Sequence, residues 1–253
     1  MKICAAQIRS VAGDIEVNTA QHLRVIELAA AQGANCVFFP ELSLIGYEPS
    51  LAKALATDIT DDRLKVFQRC ADAHEMMIGV GLPMSAGPKV KIGQVWFSPN
   101  QPRQVYTKRQ LHTDELPFFV QGDQRLVLKS HDHTMAPAIC YESLQSNHAH
   151  DAAALGADIY LASVAKPATA LAKAMQHYPA IARRHSMYVI MADGVGPSDN
   201  FLSAGQSAAW NRQGELLAQM DALSEGFVLL DTIAASASLH TLAADAVRSS
   251  GSP

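Results

Sequence analysis

Short apolar runs alternate with amphipathic segments along most of the chain. The runs KICAAQI, NCVFFP, MIGVGL, TMAPAIC, DIYLASV, MYVIMA and GFVLLD are continuous and short, and each predicts a buried strand. Helices are predicted where apolar residues recur three and four positions apart, in segments 61–75, 144–155 and 168–185 and in the segment before Gly33. Alternating strands and helices in both halves indicate a mixed α/β domain with helices outside its sheets.

Turn-forming residues join some of these strands into hairpins. Gly-Pro at 87–88 and the turn at 100–102 separate three apolar runs, and the turn at 212–214 interrupts another. No low-complexity linker divides the chain, so we expect a single domain over residues 1–231. Residues 232–253 are rich in alanine and serine and lack a core pattern, which predicts a C-terminal arm or a partly ordered tail.

Composition argues against several classes of partner. The 253 residues are 49% hydrophobic and 17% charged, which is enough apolar material for a full core. The net charge of −4 shows no basic excess, which argues against a nucleic-acid partner. We find neither a signal peptide nor the roughly 20 apolar residues of a membrane span, so we expect a cytoplasmic protein with no membrane partner. The four cysteines are scattered, as in reduced thiols, and not paired as in a disulfide framework or zinc site.

Three chemically active side chains follow three of the predicted strands. Glu41 follows NCVFFP, Lys108 follows RQVYT and Cys140 follows TMAPAI. Taken singly, each has an ordinary explanation: a helix first-turn acid, a surface charge and a buried thiol. Ligands of open α/β sheets bind beyond the carboxyl ends of strands, so the three can meet at one site. Together they supply an acid–base group, an electrophile and a nucleophile.

The segments around these residues resemble a known family. FPELSLIGY (39–47), YTKRQL (106–111) and ICYES (139–143) are similar, in order and spacing, to the three catalytic motifs of the nitrilase superfamily, the carbon–nitrogen hydrolases. The resemblance extends from residue 2 to about residue 231. It implies a four-layer α-β-β-α sandwich that assembles as a homodimer or a higher homo-oligomer, and it favours the amidase-like branch.

The resemblance also implies a role for each catalytic residue. Glu41 corresponds to the general base, Lys108 to the group that stabilises the tetrahedral intermediate, and Cys140 to the nucleophile. A second glutamate is usual between the lysine and cysteine motifs. Glu115 is our candidate for it, expected to hold the lysine and to order the substrate amide or water, with its neighbour Asp114 as the rival.

The mechanism that follows is hydrolysis of a small-molecule amide or N-carbamoyl compound through a cysteine thioester, without a metal or organic cofactor. The backbone N–H of Tyr141 is expected to share the oxyanion with Lys108, and Glu142 is expected to support the turn that carries the nucleophile. Tyr141 in place of tryptophan, together with the short chain, favours an amidase over a true nitrilase.

The substrate-binding residues predicted from the sequence are Tyr47, Tyr141 and Lys166. A lysine at the pocket mouth would favour a substrate with a carboxylate, although Lys166 before a proline is equally typical of a solvated side chain. Glu48 would favour a cationic substrate instead. The sequence therefore leaves the substrate open.

Four other functions remain as alternatives. The same site could hydrolyse nitriles, or the chain could be a catalytically silent binding protein of the same fold. A metallohydrolase on a (β/α)₈ barrel would use the histidine pairs 131/133 and 148/150, which have ligand-like spacing. A Cys-His protease is the weakest alternative, since no motif selects a histidine partner.

Overall fold

Two β-sheets form the centre of the protein, whose computed structural model describes residues 1–242. In chain order, the strands are β1 (Lys2–Gln7), β2 (Cys36–Phe38), β3 (Met77–Ala86), β4 (Lys89–Phe97), β5 (Gln104–Thr107), β6 (Leu128–Ser130), β7 (His133–Ile139), β8 (Ile159–Val164), β9 (Tyr188–Asp193), β10 (Val195–Ser198), β11 (Phe201–Ala204), β12 (Ala208–Trp210), β13 (Leu216–Gln219), β14 (Gly226–Asp231) and β15 (Ser236–Thr241). The α-helices are α1 (Ile15–Ala31), α2 (Pro49–Leu55), α3 (Lys65–His74), α4 (Ser146–Ala154) and α5 (Ala168–His185).

The two sheets repeat one arrangement, a parallel centre with antiparallel flanks. The first has seven strands in the order β15-β14-β1-β2-β3-β4-β5, and the second has six in the order β13-β12-β9-β8-β7-β6. Strands β1, β2 and β3 are parallel, as are β7, β8 and β9. Their carboxyl ends therefore point the same way within each sheet, which is the geometry that gathers strand-end residues. A separate two-stranded hairpin, β10-β11, follows the end of β9.

Apolar side chains on both faces of each sheet divide the protein into four layers. One core lies between the sheets and contains Ile3 and Phe38 from the first and Ile139 and Ile190 from the second. A second core packs the outer face of the first sheet on α1 and α3, and a third packs the outer face of the second sheet on α4 and α5. This is the predicted α-β-β-α sandwich.

Local sequence signals set several of the helix ends. Helix α1 begins after Asp14, whose carboxylate accepts a hydrogen bond from the backbone N–H of Val17 at 3.1 Å, and it ends before Gly33, which has φ of +70°. Helix α5 covers the predicted segment 168–185. The predicted helix 61–75 divides into a 3₁₀ turn, Asp62–Leu64, followed by α3.

The C-terminal region differs from the sequence-based expectation. Strand β14 is not the last strand, because β15 pairs with it in antiparallel register over its whole length. Most side chains of β15 are exposed or half-buried, so it is an edge strand without the apolar alternation that would identify it in the sequence. Part of the predicted arm is thus sheet, and residues 243–253 lie outside the described residues. Within residues 1–242, every helix is too short or too polar to cross a lipid bilayer.

Gly81 in β3 allows the backbone that carries Glu41 to approach the sheet. A Cβ at Gly81 would lie 2.4 Å from the carbonyl oxygen of Pro40 and 2.7 Å from the backbone nitrogen of Leu42. Since backbone atoms cannot move aside as a flexible side chain can, we expect Gly81→Ala to lower the free energy of unfolding by about 1–3 kcal/mol in urea denaturation. Ser85→Ala, at an exposed position of the same strand, is the control and should change it by less than about 0.5 kcal/mol. Equal stability of the two variants would show that the loop does not depend on this approach.

Candidate active site

The three strand-end residues meet at the seam between the two sheets. Glu41 lies three residues beyond the end of β2, and Lys108 directly follows β5, both in the first sheet. Cys140 directly follows β7 in the second sheet. The structure thus brings together, from segments spread over about 100 residues, the groups that the sequence predicts.

Lys108 is held between two carboxylates and has no solvent exposure. Its Nζ donates to Oε1 of Glu41 at 2.7 Å and to Oε1 of Glu115 at 2.5 Å. Burial alone lowers the pKa of Lys108, but the nearby acidic groups of Glu41, Cys140 and Glu115 outweigh it and raise that pKa above its usual value. The lysine is therefore a fixed cation at neutral pH.

Glu115 is anchored from several sides, as expected for the residue that holds the lysine. Its Oε1 also accepts from the hydroxyl of Tyr47 at 3.0 Å, and its Oε2 accepts from the backbone N–H of His112 at 2.8 Å. Asp114, the rival candidate, is exposed and pairs with the His112 ring. The structure thus places Glu115, and not Asp114, against Lys108.

Glu41 is 2% exposed and has a strongly shifted acidity. Burial raises the pKa of its carboxyl to about 7, an effect that Lys108 opposes and the negative charge of Glu115 reinforces. The nearby Cys140 thiol lowers it slightly. A carboxyl that titrates near neutrality can both accept and return a proton, as a general acid–base requires. Oε2 of Glu41 is buried and has no hydrogen-bond partner within residues 1–242.

Cys140 lies on a strained turn that exposes its sulfur to a cavity. Its φ of +46° is in the left-handed region, which non-glycine residues rarely adopt. Cys140 is also the first residue of the 3₁₀ turn Cys140–Leu144. Burial and the charge of Glu41 raise the pKa of the thiol to about 12, while Lys166 and Lys108 lower it. The thiol is therefore protonated beside a carboxylate that can remove the proton.

The fully buried Glu142 fixes this turn against the end of β5. Its Oε1 accepts from the backbone N–H of Ile139 at 2.9 Å and from the hydroxyl of Tyr106 at 2.7 Å. Its Oε2 accepts from the backbone N–H of Arg109 at 2.6 Å and of Gln110 at 3.2 Å. One carboxylate thus ties the nucleophile turn to the residues that follow Lys108, in agreement with the supporting role predicted for it.

A cavity of about 400 Å³ opens onto the Cys140 thiol, a volume suited to a small molecule. Tyr47, Tyr141 and Lys166, the predicted substrate-binding residues, all line it. One wall is the start of α5 and the residues before it. The complete lining is Tyr47, His112, Asp114, Glu115, Cys140, Tyr141, Leu144, Ala165, Lys166, Pro167, Thr169, Ala170, Lys173, Asn200 and Phe201.

Lys166 lies at the bottom of this cavity, neither at its mouth nor in solvent. It is 3% exposed, and its Nζ donates to Sγ of Cys140 at 3.6 Å. Burial lowers the pKa of Lys166, but Cys140 and other nearby groups raise it above its usual value. Glu48, which would favour a cationic substrate, instead accepts a hydrogen bond from the backbone N–H of Asp199 at 3.0 Å.

Sequence reasoning missed Asp193, a buried carboxyl at the end of β9. Its Oδ1 accepts from the backbone N–H of Lys166 at 3.1 Å, and burial raises its pKa well above the usual value. Asp193 could have been found in the sequence, because it is a polar residue at the end of the apolar run MYVIMAD, just as Cys140 follows the apolar run TMAPAI. Asp193 positions the backbone of Lys166.

The histidines singled out for a metal site are engaged in other contacts. His133 pairs with Asp158 at 2.6 Å, and His148 lies 2.8 Å from the hydroxyl of Tyr106 and 2.7 Å from that of Tyr160. Within residues 1–242, no three His, Cys, Asp or Glu side chains are grouped so as to hold a metal ion. The groups that contact the Cys140 sulfur are a carboxylate, a lysine and a carbonyl, which does not favour a Cys-His pair.

Comparison with known proteins agrees with this geometry. Residues 2–244 match the family model for carbon-nitrogen hydrolases. Among solved structures, the amidase of Nesterenkonia sp. AN1 superposes with a TM-score of 0.84 at 24% identity, over 91% of this chain and 92% of that chain. A second structure of that amidase, a cysteine-to-alanine mutant in complex with butyramide, superposes with a TM-score of 0.83 at 23% identity, over 90% of this chain and 89% of that chain. At this level of identity, the similarity establishes the fold.

The curated relatives are longer proteins. The glutamine-dependent NAD(+) synthetase of Acinetobacter baylyi is 24% identical over 232 residues, which are 88% of this chain and 42% of the synthetase. The enzyme of the same name from Thermotoga maritima is 23% identical over 249 residues, which are 91% of this chain and 42% of that protein. The chain thus spans about two fifths of the length of these relatives.

We expect Glu142→Gln to destabilise the protein more than a comparable change elsewhere in the turn. The amide would leave only one oxygen for four donors and would point its own N–H groups at some of them, so the free energy of unfolding should fall by about 3 kcal/mol. Gln145→Ala is the control, because it removes a single 3.3 Å hydrogen bond to the carbonyl of Tyr141 from the same turn. Denaturant unfolding of both variants measures the difference. Equal losses would show that Glu142 is not the anchor.

Proposed function

Because the chain belongs to the carbon–nitrogen hydrolase family, we propose that it hydrolyses a small-molecule amide through a thioester of Cys140. The observation that carries the proposal is the buried cluster of Glu41, Lys108 and Glu115 beside a thiol that opens onto the 400 Å³ cavity. Each group has the environment that its step requires. Glu41 titrates near neutrality, Lys108 is a fixed cation, and Cys140 is reachable by a small molecule.

In the acylation step, the Cys140 sulfur attacks the amide carbon while Glu41 takes the thiol proton. Negative charge develops on the amide oxygen, and Lys108 and the backbone N–H of Tyr141 stabilise it. Tyr141 is the second residue of the 3₁₀ turn, and the first N–H groups of a helical turn lack partners within the turn. Glu41 then returns the proton to the departing nitrogen. The C–N bond breaks, leaving the acyl group on sulfur and releasing ammonia or an amine.

In the deacylation step, a water molecule attacks the thioester carbon and Glu41 accepts one of its protons. The C–S bond breaks, the carboxylic acid leaves, and the sulfur recovers its proton from Glu41. The pKa of about 7 for Glu41 suits this double use, since the group gains and loses a proton within one cycle.

Lys166 acts at the reacting end of the substrate in this proposal, not on a distant carboxylate. Its Nζ lies 3.6 Å from the sulfur, so its charge acts on the thiolate and on the acyl group attached to it. Lys173 is exposed on α5 and also lines the cavity, so it is placed to meet a carboxylate at the outer end of a substrate. Tyr47 and Tyr141 line the walls between these two positions.

Two relatives suggest substrate classes to test first. The Nesterenkonia amidase crystallised with butyramide, a simple aliphatic amide, and the synthetase relatives are named for their dependence on glutamine, a side-chain amide. N-carbamoyl compounds fit the same chemistry, and nitrile hydrolysis is the alternative reaction of this site. A homodimer and a cytoplasmic location remain predictions from the sequence.

We expect ammonia release from one class in a panel of small amides. The panel contains aliphatic amides, glutamine and other ω-amides of dicarboxylates, N-carbamoyl amino acids, carbamoyl amines and one nitrile. Cys140→Ala should lower turnover by about 10⁴-fold or more, because it removes the nucleophile. Cys70→Ala is the control, since it changes a partly buried thiol on α3 outside the site. Turnover that survives Cys140→Ala would refute the thioester mechanism, and silence across the panel would favour the binding-protein alternative.

Lys166→Met should shift the reactivity of Cys140 to higher pH. The Lys166 charge lowers the pKa of the thiol, so its removal leaves less thiolate at any given pH, and alkylation by iodoacetamide at pH 7 should slow by about tenfold or more. The measurement is the alkylation rate of Cys140 against pH, read by peptide mass spectrometry. Lys173→Met removes a charge from the same cavity but further from the sulfur, and it should leave the profile nearly unchanged. Equal shifts in the two variants would contradict a direct Lys166–thiolate interaction.

A further inference from the structure

A second, much smaller cavity lies beside Glu41. Its volume is about 20 Å³, and Glu41 lines this cavity, whereas the thiol of Cys140 lines the larger one. Tyr47 and Ala165 line both, so the two cavities adjoin. The complete lining of the small cavity is Ile8, Ser10, Pro40, Glu41, Ser43, Gly46, Tyr47, Ala165, Gly194, Val195, Ser198 and Ser203.

The size and polarity of the small cavity fit one water molecule. A cavity needs a volume of about 10–15 Å³ to hold one water molecule. The 20 Å³ of this cavity is therefore enough for a water and too little for any amide substrate. Glu41 and four serines line it. The Ser43 hydroxyl bonds to the His22 ring at 2.9 Å, but the other three serines and the carboxylate are enough for the two to four polar partners that a buried water requires. Gly194 is only partly buried, as is Ser10, so this cavity is close enough to the surface to exchange water with solvent.

The carboxylate in this cavity has an unused acceptor. Oε1 of Glu41 is occupied by the ammonium of Lys108, whereas Oε2 is buried and has no hydrogen bond within the described part of the chain other than the weak one that the Cys140 thiol can offer this carboxylate. A buried carboxylate oxygen without a hydrogen bond is costly, so Oε2 favours a bound donor.

The serines can complete the coordination of a water. The hydroxyls of Ser198 and Ser203 lie 2.9 Å apart, and only one of their two protons can lie between them, which leaves the other free to donate. Ser10 donates to the carbonyl of Ser43 at 2.7 Å and keeps its oxygen lone pairs as acceptors.

We propose that this cavity holds the water that hydrolyses the thioester, so that water reaches Glu41 by a route separate from the substrate cavity. The inference rests on the proposed function. The water oxygen bonds to the acyl carbon, and one water proton moves to Oε2 of Glu41. The C–S bond then breaks, the carboxylic acid carries away the hydroxyl, and Glu41 returns the proton to sulfur. Deacylation can therefore proceed while the acyl group still fills the substrate cavity.

Gly194 offers a direct way to fill the water site. A Cβ there would make ordinary contacts, 3.5 Å from Oγ of Ser203, 3.6 Å from its Cβ and 3.7 Å from the carbonyl oxygen of Ile8. Gly194→Ala thus adds a methyl group to the cavity without a clash. Ser203→Val fills the same space from the opposite side, and it serves as a second variant if the first is poorly folded.

The test measures how the acyl-enzyme divides between water and hydroxylamine, an acyl acceptor that enters through the substrate cavity. In Gly194→Ala, the ratio of hydroxamate to free acid should rise about tenfold, while the burst of ammonia stays near one per active site. Ala170→Val is the matched control, because it narrows the substrate cavity and should lower the ratio or leave it unchanged. A high-resolution crystal structure should place a water within hydrogen-bond distance of Oε2 in the parent protein.

The outcomes separate the two proposals. A normal burst with an unchanged ratio in both Gly194→Ala and Ser203→Val would overturn the separate water route and leave the thioester mechanism intact. A raised ratio in Ala170→Val alone would place the water in the substrate cavity, against the inference. Absence of any ammonia release from the parent protein with every amide would refute the proposed function itself.

Discussion

The burial of the Lys108 ammonium between two carboxylates is the constraint on which the site depends. Removing an ion from water costs several kcal/mol, and here Glu41 and Glu115 compensate the lysine at 2.7 and 2.5 Å. Burial raises the pKa of Glu41 to about 7, Lys108 opposes that rise, and the charge of Glu115 offsets part of the opposition. The acid–base group is therefore a consequence of burial in a site where a second acid weakens the effect of the cation.

The fold meets this constraint by joining strand ends from two sheets. Glu41 and Lys108 belong to the first sheet, Cys140 to the second, and apolar packing between the sheets determines how far apart they lie. Glu142 adds a polar link across the seam, from the nucleophile turn to the backbone after β5. The left-handed φ of Cys140 is a local cost of this arrangement, and the hydrogen bonds to Glu142 help to maintain it.

The sequence predicts a mixed α/β domain and the three strand-end residues, because periodicity and strand ends are local properties. The four-layer sandwich and the role of each central residue come from the resemblance to the carbon–nitrogen hydrolases. The sequence does not predict that Lys166 is buried, because a lysine before a proline is equally typical of a solvated side chain. The burial of Lys166 depends on how α5 packs. Nor does the sequence predict β15, whose mostly exposed side chains carry no apolar pattern and whose pairing partner is β14. The 20 Å³ cavity is less predictable still, since its walls come from four separate parts of the chain. In each case, the missing information is a contact between distant segments.

The two oxygens of Glu41 have different surroundings, and the proposed reaction needs that difference. Oε1 is bound to an ammonium that does not give up its proton near neutrality, so Oε1 fixes the position of the carboxylate. Oε2 has no such partner, and it borders a polar cavity. If both oxygens were bound to cations, the pKa of Glu41 would fall and the group would be a poor base; if neither were, it would lose its orientation. One bound and one unbound oxygen therefore reconcile positioning with proton transfer in a single buried side chain.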